Sequence, residues 1–261
     1  MMSIKICRWT GSVVLAVAAL LAGCGGGGGD SGSTVVVQSN LEGLYAGSLT
    51  PGGDSNLRIL VLETGETWGL YGSEAGGVLL AKGLIQGNGS SQNGTFVTAN
   101  LKEFGTGGAA PLTLSGAYNN TTGTFAGSIV TSSGGTLSFN TTRIGGVNYD
   151  YNTPANLSSV AGAWTLTDLV GDGMALNIQS SGNLTLTYSG SSCVLIGTIS
   201  PRSSGKNVFD VQITSGPPPC KDSRVKFLGV ALSYPVNGRP QLLIATVDST
   251  RTFGLPAFGT R

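Results

Sequence analysis

Histidine is absent from this chain, which removes the commonest general base and the commonest metal ligand. Four cysteines, Cys7, Cys24, Cys193 and Cys220, remain as reactive groups. Two acidic pairs could also do chemistry. Asp168 and Asp172, in Asp168-Leu169-Val170-Gly171-Asp172-Gly173, could hold calcium through carboxylates and backbone carbonyls. Their spacing is not that of an EF-hand, and acidic residues in a glycine-rich turn ordinarily shape the turn. Glu63 and Glu66 flank a hairpin turn and could act as an acid–base pair, although carboxylates at such turns are ordinarily solvated. No catalytic residue, metal or cofactor is therefore assigned, and the chain is expected not to be an enzyme.

The first two cysteines belong to a graded N-terminal segment. Lys5 and Arg8 supply positive charge, Val13 to Leu21 form an apolar run, and small residues precede Cys24. The run is about half of the ~20 residues that a membrane-spanning helix requires, so residues 1–23 read as a signal peptide. Leu21-Ala22-Gly23-Cys24 resembles the lipobox of bacterial lipoproteins. The resemblance implies that Cys24 becomes the first mature residue, that its thiol carries diacylglycerol, and that its amine is acylated, palmitate being the expected chain. Two or more acyl chains give stable attachment where one does not. Residues 24–40, with five glycines after the cysteine, then form a lipidated tether, and its 25–40 portion would span roughly 22 Å as a coil. Gly25, rather than aspartate, follows the cysteine; by the same resemblance this favours the outer membrane of a Gram-negative envelope, with the face left open.

The elements behind the tether are all β. Glycine is abundant at 43 residues, charged residues are only 10% and hydrophobic residues 40%, and no stretch has the period of a long amphipathic helix. Eight strand-like runs fall between 43 and 142, and eight more between 162 and 255. Met174, Leu176 and Ile178 alternate with Ala175, Asn177 and Gln179, and Phe209, Val211 and Ile213 alternate with Asp210 and Gln212, the period of a half-buried strand. The two sets match in order. Gly65 and Tyr71 pair with Gly182 and Tyr188, Phe96 with Phe209, Gly116 with Gly229, and Gly43-Leu44-Tyr45 with Gly162-Ala163-Trp164.

The predicted architecture is an internal repeat of two tandem antiparallel eight-stranded meander barrels, with β-sandwiches as the alternative. The copies span 41–145 and 156–261, joined by a linker at 146–155. In outline this resembles the barrels of avidins, lipocalins and transferrin-binding-like lipoproteins, with Gly162-Ala163-Trp164 the one local match. A meander places the end of its fifth strand beside the start of its fourth, so Cys193 and Cys220 are expected to form a disulfide in an oxidising compartment.

Leu57 to Leu62 and Gln241 to Ala245 are apolar on both faces. One face fills a barrel; the other must be covered by the sister barrel, a partner chain or the 34–38 segment, or else form a docking patch. Barrel-on-barrel packing is the preferred reading. The second copy carries 8 basic and 5 acidic residues and the first 4 and 6, an imbalance that could draw the copies together or orient the protein on an anionic glycan. Lys221, Arg224 and Lys226 form a short basic cluster expected to lie on a solvated strand face.

Without Lys5 and Arg8 the chain has 12 basic residues against 13 acidic, too balanced to attract nucleic acid. The expected function is a lipid-anchored envelope protein that binds protein or glycan partners, or serves structurally. The alternative is a carrier of a small apolar ligand, with Trp68, Trp164 and Tyr188 lining a barrel interior. A Cys24→Ser variant should lose palmitate labelling and leave the membrane in a high-salt wash. Retention on the membrane would sink the anchor.

Overall fold

The computed structural model describes residues 41–220 and 223–261. The signal peptide, Cys24, the tether with its 34–38 segment, and Lys221 lie outside the described residues. The first barrel comprises β1 (Gly43–Thr50), β2 (Asn56–Val61), β3 (Glu66–Ala75), β4 (Val78–Gln92), β5 (Thr95–Thr98), β6 (Lys102–Gly105), β7 (Gly108–Asn119), β8 (Thr124–Thr131) and β9 (Thr136–Arg143). The second comprises β10 (Gly162–Thr167), β11 (Gly173–Ile178), β12 (Asn183–Tyr188), β13 (Val194–Pro201), β14 (Phe209–Ser215), β15 (Lys226–Val236), β16 (Arg239–Asp248) and β17 (Gly254–Thr260). Apart from one 3-10 turn at Leu157–Ser159, the described residues contain no helix.

Both sheets close on themselves, so the sandwich alternative is not adopted. β1 bonds to β2 and to β9, and β10 bonds to β11 and to β17. Closure leaves no free edge to pair with another chain. Nine segments make eight strand positions in the first barrel because the fifth strand is broken. β5 and β6 each lie between β4 and β7, one after the other along it. At the break, Asn100 Oδ1 accepts from the Asn88 N–H at 2.8 Å.

Alternation decides what faces inward. Tyr45, Phe96, Phe125 and Phe139 fill the first barrel with edge-to-face contacts, their centroids 5.7, 5.9 and 4.8 Å from or around Phe125. Leu166, Leu176, Leu186, Ile199, Phe209 and Ile213 fill the second. The residues matched in sequence occupy corresponding places. Gly65 and Gly182 both turn with positive φ, +81° and +87°, at the turns entering β3 and β12. A Cβ at either would lie 2.3 Å from a carbonyl oxygen of the next strand, Gly89 or Ile199.

The barrels also close at one end in the same way. Arg143, ending β9, lies over the Tyr45 ring at 5.4 Å, and Arg261, just beyond β17, lies over the Trp164 ring at 4.4 Å. Gly43 and Gly162 leave the room: a Cβ there would come within 3.2 Å of either guanidinium. Arg261 further donates to the carbonyls of Ala161 and Ser159, while Trp164 Nε1 donates to the Val160 carbonyl at 2.7 Å. The 3-10 turn thus plugs that end of the second barrel.

The outward apolar faces meet at a seam between the barrels. Leu57, Ile59 and Val61 point into the first barrel, while Leu60 and Leu62 join Trp68, Leu70 and Leu84 outside it. Leu242 and Ile244 point into the second barrel, while Leu243, Ala245, Val230 and Leu232 meet that same outer cluster. Tyr149 and Tyr151 of the connecting segment are buried in the seam too, so this stretch packs rather than hangs between the copies. Polar contacts rim it. Glu63 Oε1 accepts from Arg202 Nε at 2.9 Å and Oε2 from the Tyr151 hydroxyl at 3.2 Å; Glu42 pairs with Lys206 at 2.9 Å. Arg251 donates to the Gln86 and Asn100 carbonyls at 2.6 and 2.8 Å, which caps the break between β5 and β6.

Burial opposes the charge on Glu63, but its own backbone N–H, Arg202 and Ser204 outweigh burial and hold its carboxyl below the usual carboxylate range. A lowered folded-state value adds stability above the unfolded pKa, about 4.3, and the gain is lost as pH falls through the folded value. A Glu63→Gln variant should therefore be less stable than the parent at pH 7, with the gap narrowing in urea titrations below about pH 4. A gap that stays constant with pH would show that the charge of Glu63 does not hold the seam.

Candidate functional site

Five of the sequence candidates converge at the open end of the second barrel. Four turns lie at this end, those following β10, β12, β14 and β16. They surround a depression of about 440 Å³ whose wall includes Tyr188, Leu195, Phe227 and Leu255. Asp168 and Asp172 stand on one side of the rim and the Cys193–Cys220 disulfide on the other. The cysteines bond across the β13–β14 pair, where Leu195 faces Ser215, with Cα atoms 4.7 Å apart. Both are buried and pack on the barrel core.

The aspartates act first on their own loop. Asp168 Oδ1 accepts from the N–H groups of Val170 and Asp172 at 3.0 and 2.9 Å, and its N–H donates to the Asp172 carbonyl at 3.1 Å. That geometry spends one carboxylate oxygen on shaping the turn. Among the described residues no three of Cys, Asp and Glu gather as a metal would require. The rim can instead present carboxylate to a ligand whose apolar part lies on Leu195, Phe227 and Leu255. Val170, largely exposed, leads from this depression into a second of about 300 Å³ between the same loop and Gly105–Thr106 of the first barrel.

Other expectations change. Trp68, Trp164 and Tyr188 do not share a pocket. Trp164 is core in the second barrel and Tyr188 stands at its mouth, but Trp68 lies outside the first barrel, in the seam. The parity of the strand explains this: Trp68 is opposite Leu60, which faces outward, while its neighbours Ile59 and Val61 face inward. Glu63 and Glu66 are not a solvated hairpin pair. Glu63 is bound to Arg202 of the other barrel, and Glu66 accepts from Gln86 Nε2 at 3.2 Å. Arg224 does not share a strand face with Lys226. It precedes β15 with a φ of +65°, and both are exposed.

Two surfaces had no signal in the sequence. A groove of about 760 Å³ runs along the outside of β10, β11 and β12, floored by Thr165, Ala175, Asn177, Thr185 and Thr187 and lipped by Val78 and Leu80 of the first barrel. These floor residues are outward members of alternating strands, which in sequence look like any solvated face. The other is a cavity of about 350 Å³ that opens on the seam.

Closing the 27-residue separation with a disulfide should contribute about 3–4 kcal/mol by loop entropy. The double variant Cys193→Ser, Cys220→Ser should lower the unfolding free energy by that amount, read in urea titrations as a lower midpoint, with a steeper slope because the unlinked unfolded chain exposes more surface. An unchanged midpoint would show that the β13–β14 pairing holds the rim unaided.

No family model matches the chain, and no curated protein matches it. Among solved structures, it is similar to a presumed outer membrane protein from Bacteroides fragilis, at 13% identity and a TM-score of 0.25, over 86% of this chain and 98% of that one. It is also similar to a protein of unknown function of the DUF3598 family from Nostoc punctiforme, at 12% identity and a TM-score of 0.25, over 86% of this chain and 96% of that one.

Proposed function

We propose that this chain is a lipid-anchored envelope lipoprotein, held through Cys24, that binds a protein or glycan partner and catalyses nothing. The observation that supports it best is the contrast between inside and outside. Both interiors are filled with aliphatic and aromatic side chains, while the ligand-sized spaces lie at a mouth, in a seam and along an outer face. The patterning also favours barrels standing in water. Membrane barrels turn apolar residues outward and polar ones inward; β10 to β12 do the reverse, with Thr, Ala and Asn outside and Leu, Met and Trp inside. The absence of histidine and the engagement of Glu63 in an ion pair support a role in binding.

The outer groove is the preferred partner face. It is broad, with hydroxyl and amide groups between alanines on its floor and two arginines, Arg239 and Arg261, on its wall. A second reading, carriage of a small apolar ligand, moves from the barrel interior to the mouth, where Phe227, Leu195 and Leu255 form the apolar part of the wall. A photo-crosslinking residue at Thr185 in the anchored protein should capture a discrete partner in intact cells, and one at the exposed Thr122 of the first barrel should not. Equal capture at both positions, or none at Thr185, would refute the groove. Binding of N-phenyl-1-naphthylamine, weakened about tenfold by Tyr188→Ala, would instead favour the mouth.

A further inference from the structure

The seam cavity holds an unusual pair of buried groups. Trp68 and Gln86 line it and are only 4% and 6% exposed, yet among the described residues Trp68 Nε1 and Gln86 Oε1 have no hydrogen-bond partner. An unpaired buried donor or acceptor is destabilising, so a native structure ordinarily supplies the partner. Trp68 also borders a 20 Å³ void on its other side, but that void is lined by aliphatic side chains, glycine and Arg58, none of which has a side-chain acceptor. A water there would lack the two to four polar partners it needs. The cavity side is where partners are available.

Its remaining lining defines the ligand. Glu66, Asp210 and Asp248 line it with one cation, Arg202, which is already bound to Glu63 and to Asp210 at 2.6 Å; Asp248 accepts from Thr250, Thr252 and Phe253 of its own turn, so Glu66 and Asp210 are the carboxylates left to meet a ligand. An anionic ligand is therefore repelled. Leu228, 47% exposed, with Val230 and Val247 adds an apolar wall. A protonated amine could serve Gln86 but not the Trp68 donor, because it has no lone pair to accept with. A hydroxyl group serves both, since it donates and accepts at once. The volume of about 350 Å³ falls in the ordinary range for small-molecule sites, about 300–1,000 Å³. We propose that the cavity between the barrels is a binding site for an uncharged saccharide, with hydroxyls on Gln86, Trp68 and the carboxylates and the apolar face of the sugar ring on Leu228. The site is composite: Glu66, Trp68 and Gln86 come from the first copy, and Arg202, Asp210 and Leu228 from the second.

The test uses the full mature chain in detergent, titrated with glucose, galactose, N-acetylglucosamine and, as the anionic control, glucuronate. At least one neutral sugar should shift the Trp68 indole N–H signal in nitrogen-15 NMR while leaving that of Trp164 in place, and should bind at least tenfold more tightly than glucuronate. Leu228→Arg, a change at an exposed position that places a side chain over the cavity, should abolish the shift without altering the unfolding midpoint. Tyr188→Ala at the distant mouth should leave it intact. No shift with any neutral sugar, equal binding of glucuronate, or full binding by Leu228→Arg would overturn the proposal.

Discussion

A sheet closed into a small barrel has one inside, and this chain has more apolar strand than two insides can hold. β2 and β16 are apolar on both faces, so closure leaves Leu60, Leu62, Leu243 and Ala245 pointing outward. At about 25 cal/mol per Å² of apolar surface removed from water, covering them against each other is the dominant gain available to the pair of barrels. The seam follows from that surplus. It also draws the connecting tyrosines out of water and leaves, at its rim, a cavity with walls from both copies.

Charge is arranged around the same surplus. The second copy is the more basic and the first the more acidic, and two of the cations, Arg202 and Lys206, reach across to Glu63 and Glu42. Pairs this sheltered still owe desolvation, so their contribution lies as much in fixing how the barrels meet as in net stability. The charge imbalance visible along the sequence is therefore partly spent inside the molecule. What it leaves on the outer face of β10 to β12 is a floor of Thr, Ala and Asn.

Each barrel has a plugged end and an end that can do something else. An arginine from the last strand covers an aromatic ring of the first strand at one end, a cation–π contact that ties the two strands whose pairing closes the sheet. In the second barrel the opposite end keeps its loops apart. There the disulfide pins the β13–β14 corner while the Asp168 side chain stiffens its own turn. Rigid rims around an apolar floor are how a filled barrel can still present a pocket.

The strands, the paired glycines at 65 and 182, and the Cys193–Cys220 bridge were legible from the sequence because each depends on local rules. Period-2 alternation, turn glycines and the hairpin order of a meander act over a few residues, and neighbouring strands are neighbours in the chain. The cut of the fifth strand into β5 and β6 was not legible, because Ala99-Asn100-Leu101 carries no strong breaker and Arg251, which caps the break, lies some 150 residues away. Nor was the role of Trp68: alternation shows that it opposes Thr67 in facing, but only the packed pair of barrels shows that its side is the seam. Local patterning was enough for two all-β copies of about eight strands each; the choice of closed barrel over sandwich, and which outer faces meet, and so where Glu66, Gln86, Arg202 and Leu228 gather, came only with packing, because side chains brought together between distant strands leave no periodic mark along the chain.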